Sequence, residues 1–271
     1  MNISKKDSLD LGDRMSNEPY DFWGKVRERG KRNKIDNELS KKYLESNNIP
    51  VDDWKEQLGT TGCDYYDYVY LTEFIKSNTP QYFLECGPGV STFVIADAMK
   101  KYCYDKYNGN IKLISVEEDM VWYNKLKEKL PKYDFHELSQ SDTEEGNIML
   151  FHGLYFKKIP KYDYDVIFID GPAQMGMCNL DLFSVLLSSK RPLFAIIDMR
   201  VFSSIAYFFM FGSNSMRKSG EFLFSIGPIN FKASDFNIGN SFSKGKVVEV
   251  SERIWFNLTD NIKSENVFME R

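Results

Sequence analysis

Short apolar runs recur along this chain, each followed by a segment of helical spacing. The runs are "QYFLE" from Gln81, "KLISV" from Lys112, "YDVIFID" from Tyr164 and "LFAIID" from Leu193. They are too short for buried helices and too continuous for strands with one wet face. Between them lie "VSTFVIADAMKKYC", "MVWYNKLKEKLP" and "NLDLFSVLLSSK", whose apolar residues recur every three or four positions. Strands buried on both faces and alternating with helices form a parallel sheet covered on both sides. Right-handed crossovers then give a doubly wound, mostly parallel, Rossmann-like α/β sheet.

The rest of the chain fits around that frame. "DYYDYVYLTEFIKSNTP" predicts a helix that stops at Asn78-Thr79-Pro80. "YDFHELS" predicts a third strand, and residues 140–153 have no clear pattern. "FSSIAYFFMFG" predicts a helix. "GEFLFSIGP" and "GKVVEVSERIWFNLT" predict an antiparallel hairpin at the sheet edge. Residues 1–62 are polar and charge-mixed, so they read as a helical and irregular N-terminal extension. Residues 63–271 then carry the Rossmann-like domain. The extension suits a cap, an oligomer arm or a solvated tail.

Composition removes several function classes. A net charge of -4 and a pI near 5.4 argue against a nucleic-acid partner, which needs clustered cations. The four cysteines, Cys63, Cys86, Cys103 and Cys178, form no CxxC pair, and with only His136 and His152 no zinc-site spacing is present. Scattered thiols and no secretion signal predict reduced cysteines in the cytoplasm. Val201 to Met216 is the longest uncharged apolar stretch, and it is too short and polar to span a bilayer.

Ligands of such sheets bind beyond the carboxyl ends of the strands. Three sets of residues fall there. Glu85, Cys86, Gly87 and Gly89 end the first run, Glu117 and Glu118 end the second, and Asp170 with Gly171 ends the "YDVIFID" run. The glycines let backbone approach a ligand. Ser91 or Thr92 is placed to cap the following helix. Glu117 comes 28 residues after Gly89 and is placed to accept bonds from ribose hydroxyls. A dinucleotide fold wants its acid about 20 residues on and a third small residue in the turn. Here the acid is late, and Glu85 would repel a pyrophosphate. A carboxylate there suits a ligand with positive charge.

The phrases "LECGPGVST", "SVEED" and "YDVIFIDGP" together resemble class I S-adenosylmethionine-dependent methyltransferases. Glu85, Gly87, Gly89 and Glu117 match that pattern position by position. "FIDGP" followed by "AIID" is similar to the small-molecule and sugar O-methyltransferase branches. The resemblance spans Asp64 to Asp198. It implies that Glu85, Cys86, Gly87, Gly89 and Ser91 line the methionine part of S-adenosyl-L-methionine. It implies that Glu117, with Glu118 beside it, holds the ribose. Residues His136 to Ser139, taken to follow the third strand, would lie near adenine. Asp170 would sit where acceptor meets cofactor.

Methyl transfer needs orientation above all, and a base only where the acceptor must lose a proton. Asp170 and Asp198 end neighbouring runs and are the catalytic candidates. Two carboxylates with open positions also suit Mg²⁺. In the O-methyltransferases that this stretch resembles, such a metal lowers the pKa of the acceptor hydroxyl. The acid-Asn pair expected there is replaced by Asp198-Met199-Arg200. Arg200 suits either an ion pair with Asp198 or an anionic group on the acceptor. Bland readings stand beside these: a turn cap for Asp170, a helix cap or ion pair for Asp198, and structural roles for both histidines. The Tyr-rich "CDYYDYVYL" reads as a helix covering the cleft.

The expected function is methylation of an oxygen on a small molecule or sugar. Three other readings compete. A binding or assembly module without turnover would use "IAYFFMFG" as a homo-oligomer interface. An NAD(P)-dependent oxidoreductase is disfavoured by the late acid. A nucleic-acid methyltransferase would use the basic "KVRERGKRNK" arm.

Overall fold

The structure, a computed structural model, describes residues 37–60, 62–148, 151–172, 177–189 and 193–198, with positions 203, 207, 216–218, 223–229 and 243–244. Residues 37–46 are helical. The helices that follow are α1 (Val51–Leu58), α2 (Tyr65–Asn78), α3 (Val90–Tyr102), α4 (Met120–Lys129) and α5 (Asp181–Ser188). The strands are β1 (Tyr82–Cys86), β2 (Lys112–Glu117), β3 (His136–Gln140), β4 (Thr143–Ile148), β5 (Phe151–Phe156), β6 (Val166–Ile169), β7 (Cys178–Asn179), β8 (Leu193–Asp198), β9 (Met216–Lys218), β10 (Leu223–Ile229) and β11 (Ser243–Lys244).

Among the described residues, seven strands form the main sheet in the order β3-β2-β1-β6-β8-β10-β9. The pairs from β3 to β8 are all parallel. β10 runs antiparallel to both β8 and β9, so it alone is reversed. The expected antiparallel edge is there, and its "GEFLFSIGP" half is β10. The partner of β10 at the edge is β9. The other expected half, 245–259, lies outside the described residues, as does most of the predicted helix at 202–212.

Successive strand residues feed two separate cores, as side chains of alternating direction require. Leu84, Cys86, Ile114, Val116, Ile167 and Ile197 pack on one face with Phe183, Leu186 and Tyr207. Phe83, Leu113, Val166, Phe168 and Ile196 pack on the other with α2, α3 and Leu126 of α4. Leu44, Ile49, Val51 and Leu58 join that second core, and Trp54 stacks on Phe93 at 5.4 Å between ring centres. Each such large side chain stabilises the fold by roughly 1.5–3 kcal/mol on burial.

Two features differ from the sequence reading. His136 to Ser139 lie within β3 and not after it, because Leu113 pairs with His136 and Val116 with Ser139. The stretch 140–153, which shows no clear period, holds the end of β3, all of β4 and the start of β5, and β4 and β5 form an antiparallel pair in a second sheet, order β11-β4-β5-β7. In that pair Gly146 faces Gly153, and Gly153 lies against Cys178 and Leu180 with no room for a Cβ. Among the described residues, no helix is long and apolar enough to cross a membrane.

Candidate functional site

Strand order reverses direction between β1 and β6, which makes that pair the switch point of the sheet. Ligands of open α/β sheets sit in the crevice such a point opens. Gly87 and Gly171 meet there. Gly87 has φ +86°, and a Cβ on it would lie 2.5 Å from the Gly171 nitrogen. A Cβ on Gly171 would lie 2.8 Å from the Gly87 Cα. Gly87 N–H donates to the Val116 carbonyl at 3.0 Å, and the amides of Asp170 and Gly171 both donate to the Cys86 carbonyl. These two glycines serve backbone-to-backbone packing. Gly89, two residues on, differs: nothing lies within 4 Å of where its Cβ would be. The open face of the turn is there, at the first turn of α3.

The expected cap is modified. Gly89 itself is the N-cap of α3, and its N–H donates to Thr92 Oγ1 at 2.9 Å. The Ser91 hydroxyl instead donates to Glu85 Oε1 at 2.7 Å, and Ser115 donates to Glu85 Oε2 at 2.7 Å. Ser115 Oγ lies 3.1 Å from His136 Nε2, so a chain of four polar side chains crosses from α3 to β3. Glu85 is fully buried, and burial pushes its carboxyl up to about 7 against the pull of its hydroxyl donors. Burial also lowers His136 to about 4, which keeps the ring neutral near pH 7. Cys86 and Ser91 are buried too. The side chains of Glu85, Cys86 and Ser91 thus support the turn from beneath.

Glu117 ends β2 beside the turn and is 5% exposed. Its Oε1 accepts the Asp119 N–H at 2.7 Å, and Asp119 in turn caps α4 by accepting the Trp122 N–H. Trp122 Nε1 donates to the Pro88 carbonyl at 2.8 Å, which ties this corner to the glycine turn. Burial raises Glu117 to about 7, with Glu118 and Asp119 adding to the effect. Glu118 follows directly, in the bend before α4. Sequence reasoning missed Trp122; an indole four positions after a strand-end acid pair carries no local signal of what it will bind.

Asp170 lies just past β6, half-buried, followed by a cis Gly171–Pro172 peptide. Asn179 buttresses this loop: its Nδ2 donates to the Gly171 carbonyl and to Asp181 Oδ2, while Tyr207 donates to its backbone carbonyl. Asp198 ends β8 and is 7% exposed. Arg200 lies outside the described residues. His152 belongs to the second sheet, 3.0 Å from Asn147 Oδ1.

Asp198 has two companions that the sequence reading did not single out. Cys63 Sγ donates to Asp198 Oδ2 at 3.1 Å, and Asp67, in the first turn of α2, completes a group whose ligand atoms lie within 4.8 Å of one another. The Tyr-rich helix does cover this edge, and what it brings is an acid and, just before it, a thiol. Burial raises Asp67 to about 8, and Asp198, Asp64 and Asp170 raise it further. Magnesium favours an octahedral shell of oxygens. A set that includes a thiol in hydrogen-bond contact with one of the carboxylates does not fit that requirement.

No protein-family model matches the sequence, and no curated protein matches it. Solved structures do. A protein from Staphylococcus aureus, provisionally described as a caffeoyl-CoA O-methyltransferase, aligns with a TM-score of 0.50 at 13% identity, over 71% of this chain and 99% of its own. A protein from Klebsiella pneumoniae, provisionally described as an O-methyltransferase, aligns with a TM-score of 0.42 at 14% identity, over 68% and 93%. The O-methyltransferase TomG from Streptomyces achromogenes, crystallised with S-adenosylmethionine, gives 0.38 at 11%, over 70% and 87%. The first likeness, with the strand order above, shows that this chain has the fold of the class I S-adenosylmethionine-dependent methyltransferases.

Proposed function

We propose that this protein is a methyltransferase that uses S-adenosyl-L-methionine and acts on an oxygen of a small molecule or sugar. One observation carries the reading. The open face over Gly89 adjoins, through the Trp122–Pro88 bond, the corner that presents Glu117. A ligand that lies on the turn and reaches that corner needs backbone approach at one end and two hydroxyls at the other. S-adenosylmethionine meets both needs and supplies the methyl group on a sulfonium.

The chain's own residues do the rest. Glu117, once ionised, accepts the ribose hydroxyls, and the Asp119 amide fixes its carboxylate in place. Gly89 leaves the space that any side chain would fill. Gly87 and Gly171 lock the turn to β6, so the donor end and Asp170 keep one geometry. Asp170 is the group placed to take a proton from an acceptor hydroxyl. Holding donor and acceptor in line accounts for most of the rate such a site can give.

Titration calorimetry with S-adenosylhomocysteine tests the cofactor part. Binding by the wild type, weakened at least tenfold in Glu117→Ala, supports it. Binding without turnover on any acceptor favours the assembly-module reading, and absence of binding removes the proposal.

A further inference from the structure

The polar chain beneath the glycine turn has two ways of placing its protons. Glu85 and Ser115 are fully buried and stand opposite each other where β1 pairs with β2. Ser91 of α3 binds one Glu85 carboxylate oxygen and Ser115 the other, both at 2.7 Å. Ser115 Oγ also lies 3.1 Å from His136 Nε2 on β3. Among the described residues, only burial and the hydroxyls of Ser91, Ser115 and Thr92 act on Glu85, and burial alone acts on His136.

The elements packed around this chain hold their other titratable groups apart from it. β6 is apolar and sets Phe168 opposite Glu85. The charged residues of β2, Lys112 and Glu117, are at its two ends. On β3, Glu137 points to the other face from His136, as strand alternation requires. On α3, Asp97 is acted on by Lys101, and Lys100 lies over Tyr104. α4 turns Leu126 to this core, with Lys125 over Trp122 and Lys127 over Tyr123. On α2, Asp67 is acted on by Asp198, and Glu73 pairs with Tyr43 and Lys76. Cys86 faces the opposite core, and burial keeps it a thiol.

A hydroxyl has one proton to give and accepts with its lone pairs. When Glu85 is ionised, Ser115 gives its proton to Oε2, so His136 must bring a proton on Nε2. When Oε2 is protonated it donates to Ser115 Oγ. The Ser115 proton then turns to His136, so Nε2 must offer a lone pair and the ring proton sits on Nδ1. We propose that Glu85, Ser115 and His136 form a two-state relay beneath the glycine turn, in which the charge of Glu85 selects the tautomer of His136. Between the states Glu85 takes one proton from solvent, while the half-buried ring releases one at Nε2 and gains one at Nδ1. The ring stays neutral and no electron changes hands. Ser115 and His136 are thus positioning residues, which give Glu85 a partner in both states and keep the floor of the turn intact. A cation on the turn favours the ionised state, a consequence that rests on the cofactor reading. The relay itself does not, and it is tested on the free protein.

The test is nitrogen NMR of the full-length protein with ¹⁵N-labelled histidine rings, followed on either side of about pH 7, where Glu85 exchanges its proton and His136 is neutral. His136 and His152 are the two histidines of the chain, so His152→Gln assigns the signals. The relay predicts one protonated and one bare ring nitrogen in His136 throughout, with the proton moving from Nδ1 to Nε2 as pH rises. Glu85→Gln and Ser115→Ala should each abolish that movement, with circular dichroism confirming that the variant folds. Should neither fold, the wild-type spectra decide. A wild-type ring that keeps its proton on one nitrogen, a ring that becomes doubly protonated in this range, or a movement that survives in either folded variant overturns the proposal.

Discussion

The glycine turn and the cleft mouth both carry buried acids, and they treat them differently. At the turn, Glu85 receives two hydroxyl donors and Glu117 an amide. At the mouth, Asp67 and Asp198 face each other and a thiol. Satisfied acids organise backbone. Acids that face one another hold their protons to higher pH, as Asp198 raises Asp67. The contrast separates the part of the site that shapes the turn from the part where neighbouring carboxylates raise Asp67 to about 8.

The largest effect should come from the turn's closest approach. Gly87→Ala needs a left-handed residue with a Cβ 2.5 Å from the Gly171 nitrogen. It should cost roughly 4 kcal/mol or more, seen as loss of a cooperative melt. Gly89→Ala should leave the melt within about 1 kcal/mol and still weaken S-adenosylhomocysteine at least tenfold by calorimetry. If both variants melt alike, the division between a packing glycine and an open one is wrong.

Next comes Glu85. Its folded pKa of about 7 lies above the ordinary 4.5, so the folded protein holds the proton longer than the unfolded chain. The stability this gives is full below about pH 4.5 and is lost as pH rises through 7. The loss is on the order of 3 kcal/mol. Melting temperatures across pH 5 to 8 should therefore fall less steeply for Glu85→Gln than for the wild type. An equal slope would place the titrating group elsewhere. Glu117 gives the opposite sign for binding. It must be ionised to accept ribose hydroxyls, so affinity should drop about tenfold per pH unit below 7, and Glu117→Gln should flatten the curve.

The smallest effect belongs to the mouth. Asp67→Asn should stabilise the protein by about 1 kcal/mol, because it removes one of the facing acids. Destabilisation there would mean that Asp67 serves the fold.

Much of this was legible in the sequence. Continuous apolar runs and helical spacing give the parallel sheet, and strand-end residues give Gly87, Gly89, Glu117, Asp170 and Asp198. What stayed hidden depends on distance along the chain. Glu85 meets Ser115 only because β1 and β2 pair in a register that sets them opposite. Cys63 reaches Asp198 across 135 residues. The β4–β5 pair was obscured because "TEEGNI" does not alternate, its spacing being set by Gly146 opposite Gly153. "YDFHELS" shows a strand but not its start, which β2 decides by pairing.

The most direct test of the central claim is calorimetry of S-adenosylhomocysteine with wild type and Glu117→Ala at pH 8, where Glu117 is ionised. The account predicts binding by the wild type and at least a tenfold loss in the variant. Equal affinity in both proteins, or no binding by the wild type, would contradict it.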